Sequence, residues 1–460
     1  MWDYERFMYD FCIFDSIIVQ IIYRMKRLAT QYLEKWKDAP NRKPLIIKGA
    51  RQVGKTWLMR DFGQKNYKNI AYVNFENSLL KDLFVKDFDI TRILSSIEIE
   101  NSIKIDPQNT LIIFDEIQEA ERGITALKYF YEKAPQYHII AAGSLLGVTL
   151  HQHTSFPVGK VNFLTLYPLS FTEFIEASGN AQLLELLKRK DWTLIKTFKV
   201  RYIQLLKQYY FTGGMPEVVS EFIHNNDFIE VRNIQNRILQ GYEQDFSKHA
   251  PASVVPRVRM LWNSIPTQLS KENKKFIYSA IKKSARARDF EFAISWLSDS
   301  GLVYKTHRIA KPGIPLKAYE DFGAFKLFIC DVGLLAAMSE LPAKAIIEGN
   351  SIFEEFKGSL TEQFVFQQMR TLIDTNIFYW SSEKSRAEID FIVQYNDSII
   401  PIEVKSEENL MAKSLKFFHQ KYPQTKPVRT SMSDFRKEDW LTNIPLYAIS
   451  ELFKIDLTTH

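Results

Sequence analysis

The sequence predicts an α/β chain whose first domain is a parallel sheet with helices on both faces, and two observations carry that prediction. Strand-like apolar runs alternate with helical ones at Pro44–Lys48, Ile70–Phe75, Thr110–Asp115, His138–Gly143 and Val161–Leu166, the pattern of successive βαβ units. Between the first run and the amphipathic start Trp57-Leu58-Met59 stands GARQVGKT, from Gly49 to Thr56. Such a loop wraps a triphosphate: Gly49 and Gly54 allow the required backbone conformations, Lys55 reaches the β and γ phosphates, and the Thr56 hydroxyl can ligate Mg²⁺.

The third strand, Leu111-Ile112-Ile113-Phe114-Asp115-Glu116, supplies a second nucleotide signal. It delivers Asp115 to the carboxyl edge of the sheet, where it can hold Mg²⁺ beside Thr56. An acid immediately after that aspartate, Glu116, is placed to polarise a water for attack on the γ-phosphate, which points to hydrolysis as well as binding. The next strand ends in Ser144. Its hydroxyl can sense the γ-phosphate or hold the water, and equally can cap a helix. The remaining loop positions, Ala50, Arg51, Gln52 and Val53, are expected to line the phosphates or pack the loop. No guanine-reading Asn-Lys-x-Asp run occurs, which favours ATP.

Length and composition bound the rest. A chain of 460 residues with 46% apolar and 25% charged content is large enough for about three domains with proper cores. A formal charge of +6 is mild at this length and does not by itself argue for nucleic acid or an anionic membrane. Cys12 and Cys330, the only cysteines, are too few for a disulfide framework or a cysteine-built zinc site, which suits a reducing, cytoplasmic compartment.

Met1 to Tyr23 is apolar and aromatic, but Asp3, Glu5, Arg6, Asp10 and Asp15 interrupt it and leave too short a run for a bilayer. Met25-Lys26-Arg27 then opens a cleaner amphipathic helix with Leu28, Tyr32, Leu33 and Trp36 near helical spacing. The expectation is that translation starts at Met25 and that residues 1–24 are a spurious extension. A tryptic peptide from before Met25 in natively expressed protein would sink it.

Beyond the nucleotide core at 25–180, residues 181–264 carry helical spacing, with Leu183, Leu184, Leu186, Leu187, Tyr202, Leu205, Leu206 and Tyr209 as examples, and read as a helical lid. Gly213-Gly214-Met215-Pro216 is a fixed turn within it. Residues 265–345 run helix, helix, helix, short strands, a winged-helix-like order. The helix in the recognition position, Asp289–Asp299, has three acids and no Lys or Arg, the wrong composition for lying against DNA phosphates. Lys282, Lys283, Arg286 and Arg288 beside it could touch a DNA backbone, although a solvated charged face is the commoner outcome.

The chain resembles a group of AAA-type ATPases of bacteria and archaea whose C-terminal half is a domain of unknown function around a restriction-endonuclease-like core. The residues that carry the resemblance are GARQVGKT at 49–56, LIIFDEIQ at 111–118, AAGSLLG at 141–147, FPVGKVNFLTLYPLSFTEF at 156–174, GGMPEVV at 213–219 and FKLFICDVGLL at 325–335. The resemblance implies ATP as ligand, with the two nucleotide motifs in their usual roles. It also raises Lys160, in a turn before the fifth strand, as a cation for a neighbouring copy in a homo-oligomer, although a solvated turn lysine is the commoner outcome.

Residues 346–460 hold a third constellation. Glu403 and Lys405 alternate on Ile402-Glu403-Val404-Lys405 and share a strand face, Asp390 precedes an apolar strand, and Glu362 sits on a helix. Two carboxylates beside a lysine can hold Mg²⁺ and stabilise a hydroxide. This resembles a PD-(D/E)XK nuclease site, with Asp390 and Glu403 as metal ligands, Lys405 as the lysine, Glu362 as the helix-borne acid, and Ile389 where the pattern has proline. An ATPase, an ATP-regulated nuclease acting on DNA, and a non-hydrolysing nucleotide-dependent scaffold are therefore the readings to separate, since fold alone does not specify function.

Overall fold

Each strand-like run of the nucleotide core becomes a strand. The three central ones are buried almost throughout, as strands covered on both faces of a parallel sheet are, while the two edge strands, Asn69–Asn74 and Asn162–Thr165, are only partly buried. The structure, a computed structural model, describes residues 25–144, 159–270, 275–348, 351–382, 387–408 and 411–457. The expected extension at 1–24 and residues 145–147 of the AAGSLLG run lie outside the described residues. The chain divides into two units, one reaching to Pro168 with Asp299–Gly301 added, the other comprising Leu169–Ser298 and Leu302–His460.

In the first unit, α1 (Ala29–Asp38) precedes β1 (Leu45–Lys48), α2 (Lys55–Asn66), β2 (Asn69–Asn74), α3 (Ile90–Asn101), β3 (Thr110–Asp115), α4 (Gly123–Lys133), β4 (His138–Ala142) and β5 (Asn162–Thr165). The five strands pair in the order β2-β3-β4-β1-β5, and all four pairings are parallel. β1 and β3 are separated by β4, so the loop after β1 and the acids after β3 emerge at the same carboxyl edge, where such sheets bind ligands. One face packs Ile46, Val73, Phe114 and Ile139 onto Ile97 and Phe130 of the flanking helices. Asp89 caps α3 by accepting from the N–H groups of Thr91 and Arg92.

The second unit starts with helices α5 (Phe171–Ala177), α6 (Ala181–Arg189), α7 (Trp192–Thr197), α8 (Lys199–Thr212), α9 (Pro216–Asn225), α10 (Phe228–His249) and α11 (Val255–Leu269). Ser170 and Glu173 close a capping box at the head of α5. Then come α12 (Ala287–Asp299), β6 (Val303–Ile309), β7 (Glu320–Ile329), α13 (Val332–Met338), α14 (Ala343–Glu348), α15 (Ser351–Leu372), β8 (Ile377–Ser381), β9 (Glu388–Tyr395), β10 (Ser398–Val404), α16 (Lys413–Lys421), β11 (Val428–Ser431), β12 (Arg436–Lys437) and β13 (Thr442–Pro445).

The acidic helix anticipated at 289–299 is part of α12, and it is spent on packing: Phe290, Ala293, Ile294, Trp296 and Leu297 are buried. The β6–β7 hairpin is joined through Arg308 and Tyr379 to β8, so it belongs to one eight-stranded mixed sheet, β12-β13-β11-β10-β9-β8-β6-β7. The GGMPEVV and CDVGLL runs meet at the buried Asp331, which caps α13 at Leu334 N (3.0 Å) and accepts from Gly214 N (2.6 Å) and Gln367 Nε2 (3.1 Å). Burial pushes the Asp331 carboxyl above its ordinary value, against the pull of these donors. Among the described residues no helix is long and apolar enough to cross a membrane.

Candidate functional site

The phosphate loop runs from β1 into α2 on three residues with positive φ: Gly49 at 149°, Gln52 at 67° and Gly54 at 92°. Position 49 is closed to any side chain, since an added Cβ would lie 2.2 Å from the Leu166 carbonyl oxygen. At Gly54 the left-handed turn hands the loop directly to Lys55, the first residue of α2. The unpaired N–H groups of that helix start, with its dipole, form an anion cradle. Ala50 and Val53 are buried beneath the loop, whereas Arg51 and Gln52 are exposed on it.

Lys55 is buried and donates to the carbonyl oxygens of Gly49 (2.9 Å) and Ala50 (2.8 Å). Burial pulls its pKa down to about 8, opposed by the charges of Glu116 and Asp115. No carboxylate within the loop neutralises it, which suits a ligand that brings its own negative charge.

Thr56 and Asp115 come together as the sequence predicts: the Thr56 hydroxyl donates to Asp115 Oδ2 at 2.6 Å. Tyr72, on β2, donates to the same oxygen at 2.9 Å, and Arg60 lies 3.9 Å over the Tyr72 ring. Burial, and the Asp115 charge beside it, push the Tyr72 hydroxyl up to about 12. One carboxylate and one hydroxyl are oxygen donors of the type Mg²⁺ takes when phosphate and water complete its shell. Among the described residues no group of three or more His, Cys, Asp or Glu forms a metal cage.

Glu116 follows in the left-handed region, φ 47° and ψ 48°, a conformation costly to a non-glycine residue and concentrated at functional sites. Its carboxylate accepts from Ser144 Oγ (2.9 Å), Ser144 N (3.1 Å) and Gln118 Nε2 (2.6 Å). Burial alone would raise its pKa. The Gln118 and Ser144 donors and the Lys55 charge outweigh this and keep it below the ordinary glutamate value. Ser144 is thus joined to the acid.

One site residue gives no sequence signal. Arg27, buried just ahead of α1, donates through Nη1 to Val53 O (2.9 Å) and through Nη2 to Tyr167 O (2.6 Å). It ties the phosphate loop to the segment after β5. Lys160 pairs with Glu132 at 3.2 Å and lies 5.4 Å over the Tyr131 ring, contacts of the kind a surface turn lysine makes.

In the second unit the structure brings the four residues of the C-terminal constellation near one another and adds two. Lys405 pairs with Glu403 at 2.7 Å, and Asp390 accepts from Val404 N at 2.8 Å. Lys326, on β7 and wholly buried, lies 3.9 Å from Glu362 and forms an ion pair with Glu388, two residues before Asp390 on the same face of β9.

Residues 41–175 match the AAA domain family, residues 203–345 a domain of unknown function (DUF8612), and residues 357–449 a further domain of unknown function (DUF4143). No curated protein matches the chain. Among solved structures, the Orc1 protein of Aeropyrum pernix in complex with DNA is 12% identical, over 71% of this chain and 93% of its own, with a TM-score of 0.26. Cdc6p of Pyrobaculum aerophilum is 11% identical over 72% and 97%, with a TM-score of 0.27. PCH-2 of C. elegans is 14% identical over 38% and 47%, with a TM-score of 0.20. The match at 41–175, on a five-stranded parallel sheet with this loop, makes that segment an AAA-type P-loop domain.

Proposed function

We propose that this AAA-type domain binds ATP with Mg²⁺ and hydrolyses it, so that the chain is an ATPase. The observation that carries the reading is the corner formed by Asp115 and Glu116, where a carboxylate bonded to Thr56 is followed by a second, strained and ionised one. The loop N–H groups and Lys55 receive the β and γ phosphates, Lys55 exchanging the Gly49 and Ala50 carbonyls for phosphate oxygens. Thr56 and Asp115 would hold Mg²⁺, which neutralises charge on the phosphate oxygens. Glu116 orients a water and accepts its proton as the water oxygen bonds to the γ phosphorus and ADP departs. Ser144 is a positioning residue, fixing the Glu116 carboxylate through two hydrogen bonds.

The finer part of the proposal is that nucleotide state reaches the second unit, along a chain that passes between the units at Pro168–Leu169, Ser298–Asp299 and Gly301–Leu302. Phosphate release from Mg²⁺-ATP tests the first part. Wild type turns over, and Glu116→Gln loses about 10²–10⁴-fold in rate while still binding ATP. Binding without turnover in either protein would leave the scaffold reading. Limited proteolysis of the second unit in Glu116→Gln, with and without ATP, tests the coupling, and an unchanged pattern counts against it.

A further inference from the structure

The acids that resemble a metal site are already supplied with a cation from within the chain. Lys326 is fully buried on β7, its partners come from three other elements, and it is tethered by a strand that pairs with β6, Lys326 itself opposite Thr306. Its ammonium lies 3.9 Å from Glu362 Oε2, is ion-paired with Glu388, and stands 4.9 Å over the Tyr379 ring. Burial would strip the proton from an isolated lysine. Glu388, Glu362 and Asp390 reverse that effect and hold its pKa above the ordinary lysine value. On the other side of the cluster, Glu403 is buried and bonded through Oε1 to Lys405, while its Oε2 makes no hydrogen bond. A buried carboxylate oxygen of that kind is a place for a cation.

We propose that Lys326 is a tethered competitor of divalent cations: its ammonium draws Glu362 and Glu388 to itself, so that a divalent ion binds the Asp390 and Glu403 carboxylates only weakly while Lys326 stays in place. The cluster is then a nuclease-like site held closed by its own lysine. This inference is independent of ATP hydrolysis.

The test uses the full chain carrying Asp115→Asn, which removes the carboxylate of the nucleotide site, and follows Mn²⁺ binding by electron paramagnetic resonance. Lys326→Met is expected to tighten Mn²⁺ binding about tenfold or more, because a full positive charge is removed from among the acids. Adding Asp390→Asn should abolish the gain. Unchanged or weaker binding in Lys326→Met overturns the proposal, as does tight wild-type binding that is lost with Asp390→Asn. Should Lys326→Met fail to fold, Lys326→Met with Glu388→Gln removes the pair together, and it must still bind Mn²⁺ more tightly than wild type. Nicking of plasmid DNA with Mn²⁺ serves as a second readout: activity in wild type equal to that in the variant also overturns it.

Discussion

Two buried lysines, Lys55 in the first unit and Lys326 in the second, meet opposite fates, and the difference lies in what they touch. Lys55 is held by two backbone carbonyls and has its pKa pulled down to about 8. Lys326 is held by carboxylates and stays firmly charged. A carbonyl brings a partial charge and can be exchanged for a phosphate oxygen at little cost. A buried carboxylate left without its partner is an uncompensated charge, so that lysine is committed. The same residue type is therefore a ligand-receiving group in one unit and a fixed counter-charge in the other.

Exchanging the two residues for methionine sharpens the contrast most. Lys55→Met is expected to weaken ATP binding about a hundredfold, from the loss of charge-assisted bonds to phosphate. It should leave the melting temperature nearly unchanged, because the lysine it removes is a desolvated cation. Lys326→Met should do the reverse, lowering the melting temperature by about 10 °C with ATP affinity intact. Isothermal titration with an ATP analogue and a thermal melt on each variant check both halves. Equal melting shifts in the two would break the comparison.

The pH dependence of ATP binding comes next in size. Since Lys55 has a folded pKa of about 8, below the unfolded value of 10.5, its charge is present below pH 8 and fades above it. ATP affinity should fall about tenfold between pH 7 and pH 9 as that charge is lost. Stability moves the other way: between those two pKa values the unfolded chain binds more protons, so the Lys55 contribution favours folding as pH rises. Lys55→Arg should flatten the affinity profile, whereas a profile unchanged by that substitution would place the titration elsewhere.

Much of the first unit was legible because its signals are local. The five strand runs fall within a residue or two of β1 to β5, and the loop, Thr56, Asp115 and Glu116 occupy one sheet edge. Ser144, ambiguous as a lone strand-end serine, makes two hydrogen bonds to Glu116, a pairing that only the fold reveals. What could not be read depends on distant partners. Arg27 bonds to carbonyls of Val53 and Tyr167, and every residue has a carbonyl, so no residue type marks the pairing. Lys326 lies inside the apolar run FKLFI, where a lysine reads as a strand's solvent face, and its acids arrive only on α15 and β9. Glu388 gives no signal of its own, because its partner Lys326 lies 62 residues earlier in the chain. The β6–β7 hairpin reads as a wing until its pairing with β8 is known, and strand neighbours far apart in sequence leave no periodic trace.

Arg27 offers a smaller test of how the loop is kept ready. One of its two charge-assisted bonds pins the Val53 carbonyl, two residues before Lys55, and the other holds the Tyr167 carbonyl. Arg27→Ala should therefore raise the dissociation constant for ATP about fivefold, less than loss of Lys55, since it disturbs loop geometry rather than removing a phosphate contact. Arg27→Lys should recover part of the affinity, because a lysine can reach one carbonyl but not both. A loss of binding as large as that of Lys55→Met would mean that Arg27 meets the nucleotide itself.

Lys160 carries the smallest expected effect. Its ammonium is about as exposed as its partner Glu132, and an exposed pair of that kind contributes little because water screens it and both side chains lose freedom to make it. Lys160→Ala should change ATP turnover by less than about twofold at any protein concentration. A cation that completes a neighbouring copy's site behaves differently: its removal lowers turnover at least about a hundredfold, and only at concentrations where copies associate. Measuring turnover of Lys160→Ala across a dilution series therefore separates the two outcomes, and a concentration-dependent loss would make Lys160 a third kind of lysine in this chain, one whose partner lies on another molecule.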